Sequence, residues 1–127
     1  MLALEGNTAP YLMYAHARIR SILRRVDDWS PAKASIVLQD PAERALALEL
    51  VQCELIVQEV ACSLEPQRLC GYLYGLASGF AVFYRNCPVL RADTEEQRCS
   101  RLLLCHQVAR VLAHHLRLLG IAAPERM

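Results

Sequence analysis

Arginine, histidine and tyrosine side chains recur at helical spacing near the amino terminus, and these residue types suit a phosphate-rich ligand. One flank of the first predicted helix carries His16, Arg20 and Arg24, and the other flank carries Tyr14, Arg18 and Arg25. Arginine contacts phosphate in bidentate fashion and stacks on bases, and tyrosine offers an aromatic platform to an unpaired base. The spacing therefore indicates a surface that binds single-stranded RNA.

A second basic surface is predicted on the last helix, where four polar residues share one outward face: Gln107, Arg110, His114 and Arg117. The alternative for both surfaces is an ordinary solvated face, whose arginines pair with carboxylates of the middle helices. The arginine content itself (13 of the 14 basic residues) could also follow from the nucleotide composition of the gene. Charge alone leaves both interpretations open.

The distribution of charge says more than the formal net charge of +1. Residues 1–25 sum to +3 and residues 98–127 to +4, whereas residues 40–65 sum to −5. A near-neutral chain can therefore still present a basic face to an anionic partner.

Catalytic and metal-binding motifs are not found. The sequence has no glycine-rich phosphate loop, no G-x-S-x-G and no H-E-x-x-H. His114 and His115 are adjacent, as are Cys105 and His106, so on a helix each pair diverges by about 100° and is poorly placed to share a metal ion. We predict no catalytic residue, no metal site and no cofactor in this chain.

The six cysteines form no C-x-x-C pair, and five of them fall inside apolar helical patterns. Free cysteine in such a pattern acts as a small hydrophobic residue, so we expect buried, reduced thiols and a reducing compartment. The start of the sequence has neither a basic nor an apolar region of a signal peptide. The longest uncharged run, residues 69–84, is shorter than the ~20 residues that span a bilayer. We expect no membrane partner and a cytoplasmic location.

The 127 residues, with 54% hydrophobic and 21% charged side chains, predict a single domain over residues 1–127. Helical periodicity dominates, so we expect an all-α bundle of five helices with antiparallel neighbours. The first helix is predicted over residues 9–26, with Asn7 or Thr8 as its N-cap and a buried stripe of Leu12, Ala15, Ile19, Ile22, Leu23 and Val26. In the following linker only residues 36–38 look buried.

Capping signals set the remaining boundaries. Asp40, Pro41 and Glu43 predict a helix start with a capping box, and this helix should break near residues 52–54. A further helix over residues 54–64 places Ile56, Val60 and Leu64 on one side. Pro66 opens a helix to Asn86, with a buried stripe of Leu69, Leu73, Leu76, Phe80 and Phe83.

The last helix is predicted from Asp93 or Thr94, with Glu96 completing a second capping box, to Leu119. Its core positions are Leu102, Cys105, Ala109, Leu112, Leu116 and Leu119, and Gly120 serves as the C-terminal cap. Gly71, Gly75 and Gly79 form a ridge on the helix before it, read either as close packing inside the domain or as a dimer interface.

Several segments resemble, in order, the C-terminal DALR-type anticodon-binding domain of arginyl-tRNA synthetases. The YAHARI signature of that family lies at residues 14–19. Residues 40–46 (DPAERAL), 64–69 (LEPQRL), 83–90 (FYRNCPVL) and 118–127 resemble the successive helices and the carboxyl terminus of the family. The resemblance covers essentially the whole chain and implies an all-α domain attached to a class I catalytic core.

The resemblance also implies the partners. The domain would read the anticodon region of arginine tRNA, while ATP and arginine would be bound by the catalytic domain, whose HIGH-like and KMSK-like motifs do not occur in this sequence. This chain is accordingly expected to be inactive alone, to bind its own catalytic domain in the full-length enzyme and to bind no DNA. Plastid and mitochondrion remain the alternatives to the cytoplasm.

Carried to matching positions, the family's RNA contacts fall on the first helix, on the turn after the central helix and on the extreme carboxyl terminus. These positions are Tyr14, His16, Arg18, Arg20, Arg24, Arg25, Tyr84, Arg85, Asn86, Pro88, Arg91, Arg126 and Met127. An alternative for Tyr14 and Arg18 is packing against the catalytic core. The rival for the whole chain is a solitary helical protein-interaction module, with the glycine ridge and residues 102–105 as its interface.

Overall fold

The computed structural model describes the backbone of residues 3–124 and the side chains of residues 9–124. Five α-helices occupy this part of the chain: α1 (Ala3–Arg24), α2 (Pro41–Val51), α3 (Cys53–Ser63), α4 (Pro66–Asn86) and α5 (Glu95–Leu118). A short 3-10 turn, Pro31–Lys33, lies in the connection between α1 and α2. The prediction of an all-α, five-helix domain is confirmed for the described residues.

Helix α4 is the centre of the bundle. It packs against each of the other four helices, and α5 packs against α1, α2 and α4. The predicted stripes supply the core: all five predicted α4 residues are buried, and so are the predicted α5 residues except half-buried Leu119. Within the described residues, no helix combines the length and the apolar character needed to cross a bilayer.

The start of α2 is the one that the sequence predicts. Asp40 accepts a hydrogen bond from the backbone N–H of Ala42 at 2.8 Å, and Glu43 Oε1 accepts one from the N–H of Asp40 at 2.7 Å. This reciprocal capping box, with Pro41 at the first helical position, satisfies backbone donors that the helix itself leaves unpaired.

Helix α5 begins with a different pair from the predicted one. Thr94 Oγ1 accepts from the N–H of Gln97 at 3.1 Å, and Gln97 Oε1 accepts from the N–H of Asp93 at 3.2 Å. The prediction of Glu96 as the partner was wrong, because Thr94 as the N-cap puts Gln97 at the third helical position. At the other end, Gly120 has φ of +78°, and the Ile121 N–H bonds to Leu116 O at 2.8 Å, as in a Schellman cap.

Helix α1 is longer at its start than predicted. It extends back to Ala3 and ends at Arg24, so neither Asn7 nor Thr8 is an N-cap. Pro10 lies inside the helix, where it lacks one backbone donor. Its fixed φ is itself helical, so the helix continues on both sides, and the apparent start signal was misleading.

Two predicted core residues lie at the surface. Leu64 is 82% exposed because it adopts the left-handed conformation (φ +58°) that ends α3, which removes it from the stripe of Ile56 and Val60. Ile36 is 45% exposed, whereas Val37 and Leu38 are half-buried. In this connection Trp29 packs against the core and donates from Nε1 to Cys99 O at 3.3 Å.

The residues of the predicted protein-interaction surface are either buried in the core or, for two of the glycines, do not pack closely against a neighbouring helix. Leu102, Leu104 and Cys105 are buried in the core, so they cannot form the interface of the rival hypothesis. Gly79 faces Leu46 of α2, with 4.0 Å from a Cβ at that position to Leu46 Cδ1. A Cβ at Gly71 or Gly75 would meet nothing within 4 Å, so close packing explains only Gly79.

The six cysteines, all within the described residues, are free thiols. Cys87 and Cys105 are buried as predicted, and burial raises their pKa to about 11 and about 12. Cys62 is exposed, which corrects the prediction that the thiols are buried throughout.

An ion pair lies inside the bundle between α2 and α5. Arg101 Nε donates to Glu43 Oε2 at 2.8 Å, and neither side chain is more than 9% exposed. Arg101 Nη1 donates to Pro88 O at 2.8 Å, which ties α5 to the turn after α4. One residue earlier, Ser100 Oγ accepts from the Val37 N–H at 2.8 Å. Ser100 therefore anchors the connection that precedes α2, and the adjacent Arg101 anchors the connection that follows α4.

Candidate nucleic-acid interface

An open cavity of about 720 Å³ lies between α1 and the end of α4. Five of the predicted RNA-binding residues line it: Tyr14, Arg18, Arg24, Arg25 and Tyr84. Tyr14, Arg18 and Arg24 come from α1, and Arg25 follows its last residue. Residues 14, 18 and 25 are spaced by four and seven, which keeps them on one side of the helix and its end. Tyr84, 70 residues after Tyr14 in the sequence, reaches the cavity because α1 packs against α4.

The cavity combines positive charge with exposed aromatic surface. The Arg18 guanidinium lies over the Tyr84 ring, with 5.2 Å from Cζ to the ring centroid, a cation–π arrangement. Tyr14 is 54% exposed, and Ala17, Ser21 and Ile22 complete the lining between the larger side chains. Flat rings, planar guanidinium groups and small residues between them are the parts that a stacked base and its phosphates require.

A second aromatic pair was not among the predicted residues. The rings of Tyr11 and Tyr74 lie 5.1 Å apart, and Tyr74 is 47% exposed. Tyr11 precedes Tyr14 by three residues, so it occupies a neighbouring position one turn earlier on α1. The i, i+3 spacing of the two tyrosines was the available signal, but Tyr74 could be placed only once the packing of α1 on α4 was known.

His16 corrects the predicted outward flank. The ring is only 3% exposed, and Nδ1 donates to Pro124 O at 2.7 Å. The side chain therefore holds the segment that follows α5 against α1 and is not available at the surface. Arg126 and Met127 lie outside the described residues.

Arg20 and the residues after Tyr84 lie outside the cavity. Arg20 borders a separate recess between α1 and α5. Arg85, Asn86, Pro88 and Arg91 are exposed beyond the cavity, while Cys87 and Val89 between them are buried. Arg85 and Asn86 are thus the last residues of α4, and Pro88 and Arg91 follow on a turn that Cys87 and Val89 anchor in the core. The RNA-contacting role of all these residues stays a prediction.

Carboxylates are segregated from the cavity. Residues 6–26 contain no Asp or Glu, and none lines the cavity. The arginines that do pair with carboxylates within the described residues include Arg98, bound to Asp28 and Glu95, and Arg68, bound to Glu59 and Glu65. The solvated-face alternative therefore describes Arg98 and Arg68, whereas the cavity gathers positive charge.

No group of three or more His, Cys, Asp and Glu side chains within residues 9–124 could hold a metal ion. One Cys–His contact exists, between Cys53 Sγ and His115 Nε2 at 3.5 Å. Burial raises the pKa of Cys53, so the thiol keeps its proton and is a poor nucleophile. This contact therefore has the character of core packing.

Comparison with known proteins identifies the family to which the chain belongs. A family model described as "DALR anticodon binding domain" matches residues 12–127. An arginine–tRNA ligase of Frankia casuarinae is 54% identical over 127 residues, covering 100% of this chain and 21% of the relative. One of Thermobifida fusca is 52% identical over 128 residues, covering 100% of this chain and 22% of the relative.

Solved structures give the same result. The arginyl-tRNA synthetase of Thermus thermophilus superimposes with a TM-score of 0.85 and 42% identity, covering 93% of this chain and 21% of that chain. The arginyl-tRNA synthetase of Plasmodium falciparum superimposes with a TM-score of 0.80 and 30% identity, covering 92% of this chain and 21% of that chain. This chain therefore spans about a fifth of the length of these relatives.

Proposed function

The chain belongs to the DALR anticodon-binding domain family, and on this premise we propose that it binds the anticodon region of arginine tRNA for an arginine–tRNA ligase. The single observation that carries the proposal is the cavity between α1 and α4, in which Arg18, Arg24 and Arg25 meet Tyr14 and Tyr84. We propose arginine tRNA, and not another tRNA, because the relatives named above are arginine–tRNA ligases.

The residues would divide the work by their chemistry. Arg24 and Arg25, at the end of α1, would contact backbone phosphates and fix the position of the loop. Tyr14 would accept an unstacked base on its exposed face, and Arg18 would hold the Tyr84 ring through the cation–π contact while binding a phosphate. Phosphate contacts supply affinity, and the bases that fit between the rings supply selectivity.

The chemical reaction would take place elsewhere in the longer protein. ATP-dependent attachment of arginine to tRNA, and the binding of ATP and arginine, would belong to a catalytic domain of the same polypeptide, with no cofactor bound by this segment. The role of the present chain would then be to orient the tRNA relative to that domain. Loss of binding here should raise the KM for tRNA with little change in the KM for ATP.

A direct test compares two tRNA transcripts, arginine tRNA and the same tRNA with a changed anticodon, in titrations of the natural polypeptide that carries this domain. We expect tighter binding of the first. Tyr14→Ala and Arg18→Gln should weaken it by about 10-fold, the size of a lost stacking or charged contact of ~1.4 kcal/mol. Arg44→Gln, an exposed arginine on α2 away from the cavity, is the matched control.

Equal affinity for the two transcripts would refute anticodon recognition. Equal affinity of the Tyr14→Ala and Arg18→Gln variants and the wild type would refute the cavity as the site.

We also place the protein in the cytoplasm, with a plastid or mitochondrion as the alternative. The six free thiols support a reducing compartment. Fractionation of the source cells, followed by immunodetection, distinguishes the three locations.

A further inference from the structure

A second basic surface lies on the other side of α1 from the cavity. Arg110, Ala113 and Arg117 of α5 form a ridge, which we call the α5 ridge. It separates two recesses: one of about 250 Å³ shared with His16 and Arg20 of α1, and one of about 500 Å³ that includes Gln107 and His114. Arg110, His114 and Arg117 are exposed.

Among the described residues, those that line the two recesses include no Asp or Glu. Residues 97–124 contain no Asp or Glu, and α1 contributes none after Glu5. The pKa of nearby His106 is lowered first by burial and then by the positive charges of Arg110 and Arg20. Both recesses therefore offer an anion Arg110 and Arg117, and no carboxylate of the described residues lines either recess.

The remaining arginines of α5 contrast with the α5 ridge. Arg98 is bound to Asp28 and Glu95, and Arg101 is bound to Glu43. Among the described residues no carboxylate lies within ion-pair distance of Arg110 or Arg117. Along one helix, the arginines of the first half stabilise the fold and those of the second half face outward.

This surface is continuous with the candidate RNA site. Arg24 lines the cavity, and Arg20, one turn earlier on the same helix, lines the smaller recess beside the α5 ridge. A strand leaving the cavity across α1 would meet the ridge without passing an Asp or Glu of the described part of α1. Seven residues separate Arg110 from Arg117, about 10 Å along the helix, enough to reach different phosphates.

We propose that the tRNA bound in the cavity continues across α1 onto the α5 ridge, where Arg110 and Arg117 contact its phosphate backbone outside the anticodon loop. This proposal rests on the proposed function and adds a second contact surface to it. The contact is to phosphates, so it contributes affinity and orientation and is independent of base sequence. An acidic protein surface would satisfy the same charges, and the test separates this occupant from RNA.

The test is a titration of the natural polypeptide with arginine tRNA, and with the same tRNA bearing a changed anticodon, between 50 and 200 mM salt. The double variant Arg110→Gln/Arg117→Gln should bind both tRNAs more weakly than the wild type by the same factor, about 10-fold at the lower salt concentration. The slope of log affinity against log salt should become shallower by about 1.5, since each lost phosphate contact removes 0.7–0.9.

The matched control is Arg44→Gln/Arg68→Gln, which removes the same charge from exposed positions on α2 and α4. It should leave both affinity and slope unchanged. Thermal unfolding of each variant, followed by far-ultraviolet circular dichroism, verifies that the helices are intact.

Two outcomes overturn the proposal and leave the proposed function standing. In the first outcome, the wild type binds and discriminates the two tRNAs, and the Arg110→Gln/Arg117→Gln variant keeps the same affinity and the same salt slope. This result is expected if an acidic protein occupies the ridge. The other is a loss confined to the tRNA with the matching anticodon, which would make these arginines readers of the loop. A wild type that does not discriminate the anticodons instead refutes the proposed function.

Discussion

At the residue scale, the Glu43–Arg101 pair is more buried than any other ion pair found among the described residues. The Glu43 side chain has no exposed surface, and burial by itself raises its pKa. Hydrogen bonds from the backbone of Asp40, from Arg101 and from the backbone of Gln39 outweigh burial, so the pKa lies below its usual value. In the folded protein Glu43 therefore holds its proton less tightly, and it stabilises the fold above the unfolded pKa of about 4.3. This contribution is lost as the pH falls through the lower folded value.

Replacing Arg101 by methionine should leave the Glu43 carboxylate buried without its counter-charge. We expect the free energy of unfolding at pH 7 to fall by about 3 kcal/mol. The loss should be smaller at pH 4, because protonation of Glu43 removes the unpaired charge. Chemical denaturation at both pH values measures this difference. Arg98→Met is the control, since Arg98 pairs with exposed carboxylates and its loss should cost less than about 1 kcal/mol. A loss for Arg101→Met that is independent of pH would contradict this account.

At the element scale, two helices end in the left-handed conformation with different residues. Gly120 follows α5 with φ of +78°, and Leu64 follows α3 with φ of +58°. A side chain makes this conformation costly by about 1–2 kcal/mol, a cost that glycine does not have. Leu64 is 82% exposed, so it gains almost no burial in return.

Leu64→Gly should therefore stabilise the protein by about 1 kcal/mol, and Gly120→Ala should destabilise it by a similar amount. The first change removes a side chain from a left-handed residue and the second adds one, so each variant serves as the control for the other. Melting temperatures that move apart by several degrees would support the assignment of both caps. A decrease for both variants would contradict this account of Leu64.

At the scale of the whole molecule, the segment after α5 returns to the first helix. Residues 121–124 reach α1, where His16 Nδ1 donates to Pro124 O at 2.7 Å. Ile121 and Ala123 pack against the core, so this segment is held by apolar contacts as well. Ala123 lines the recess between α1 and α5 together with His16 and Arg20, so this segment borders the α5 ridge.

His16→Ala should release this segment. We expect the free energy of unfolding to fall by about 1–2 kcal/mol through the lost hydrogen bond and packing. We also expect faster hydrogen exchange at the amides of residues 121–123, with the exchange of α4 unchanged. His16→Gln, which keeps a side-chain donor, is the conservative comparison. Unaltered exchange at residues 121–123 in His16→Ala would refute the tethering role.

The sequence predicted the elements best where capping chemistry is local. Asp40 and Glu43 lie three residues apart and fix the start of α2 by themselves, whereas Pro10 resembles a start signal in a helix that extends beyond it. The flank of Tyr14, Arg18 and Arg25 was predicted for the same reason, since these residues recur at helical spacing, but the cavity beside it was not predicted. Tyr84 came only from the family resemblance, because helical spacing carries no information across 70 residues. His16 was misplaced since the segment that covers it is more than 100 residues away.

The packing of α1 against α5 joins the first helix of the domain to its last, and this has a consequence for synthesis on the ribosome. The apolar stripe of α1 emerges early but has no α5 to cover it until nearly the whole domain has been translated. The surface around Arg24 and Arg20 reaches its final form only when α5 and the residues that bind His16 have followed. A chain that ends before α5 would therefore leave the apolar stripe of α1 without the helix that covers it.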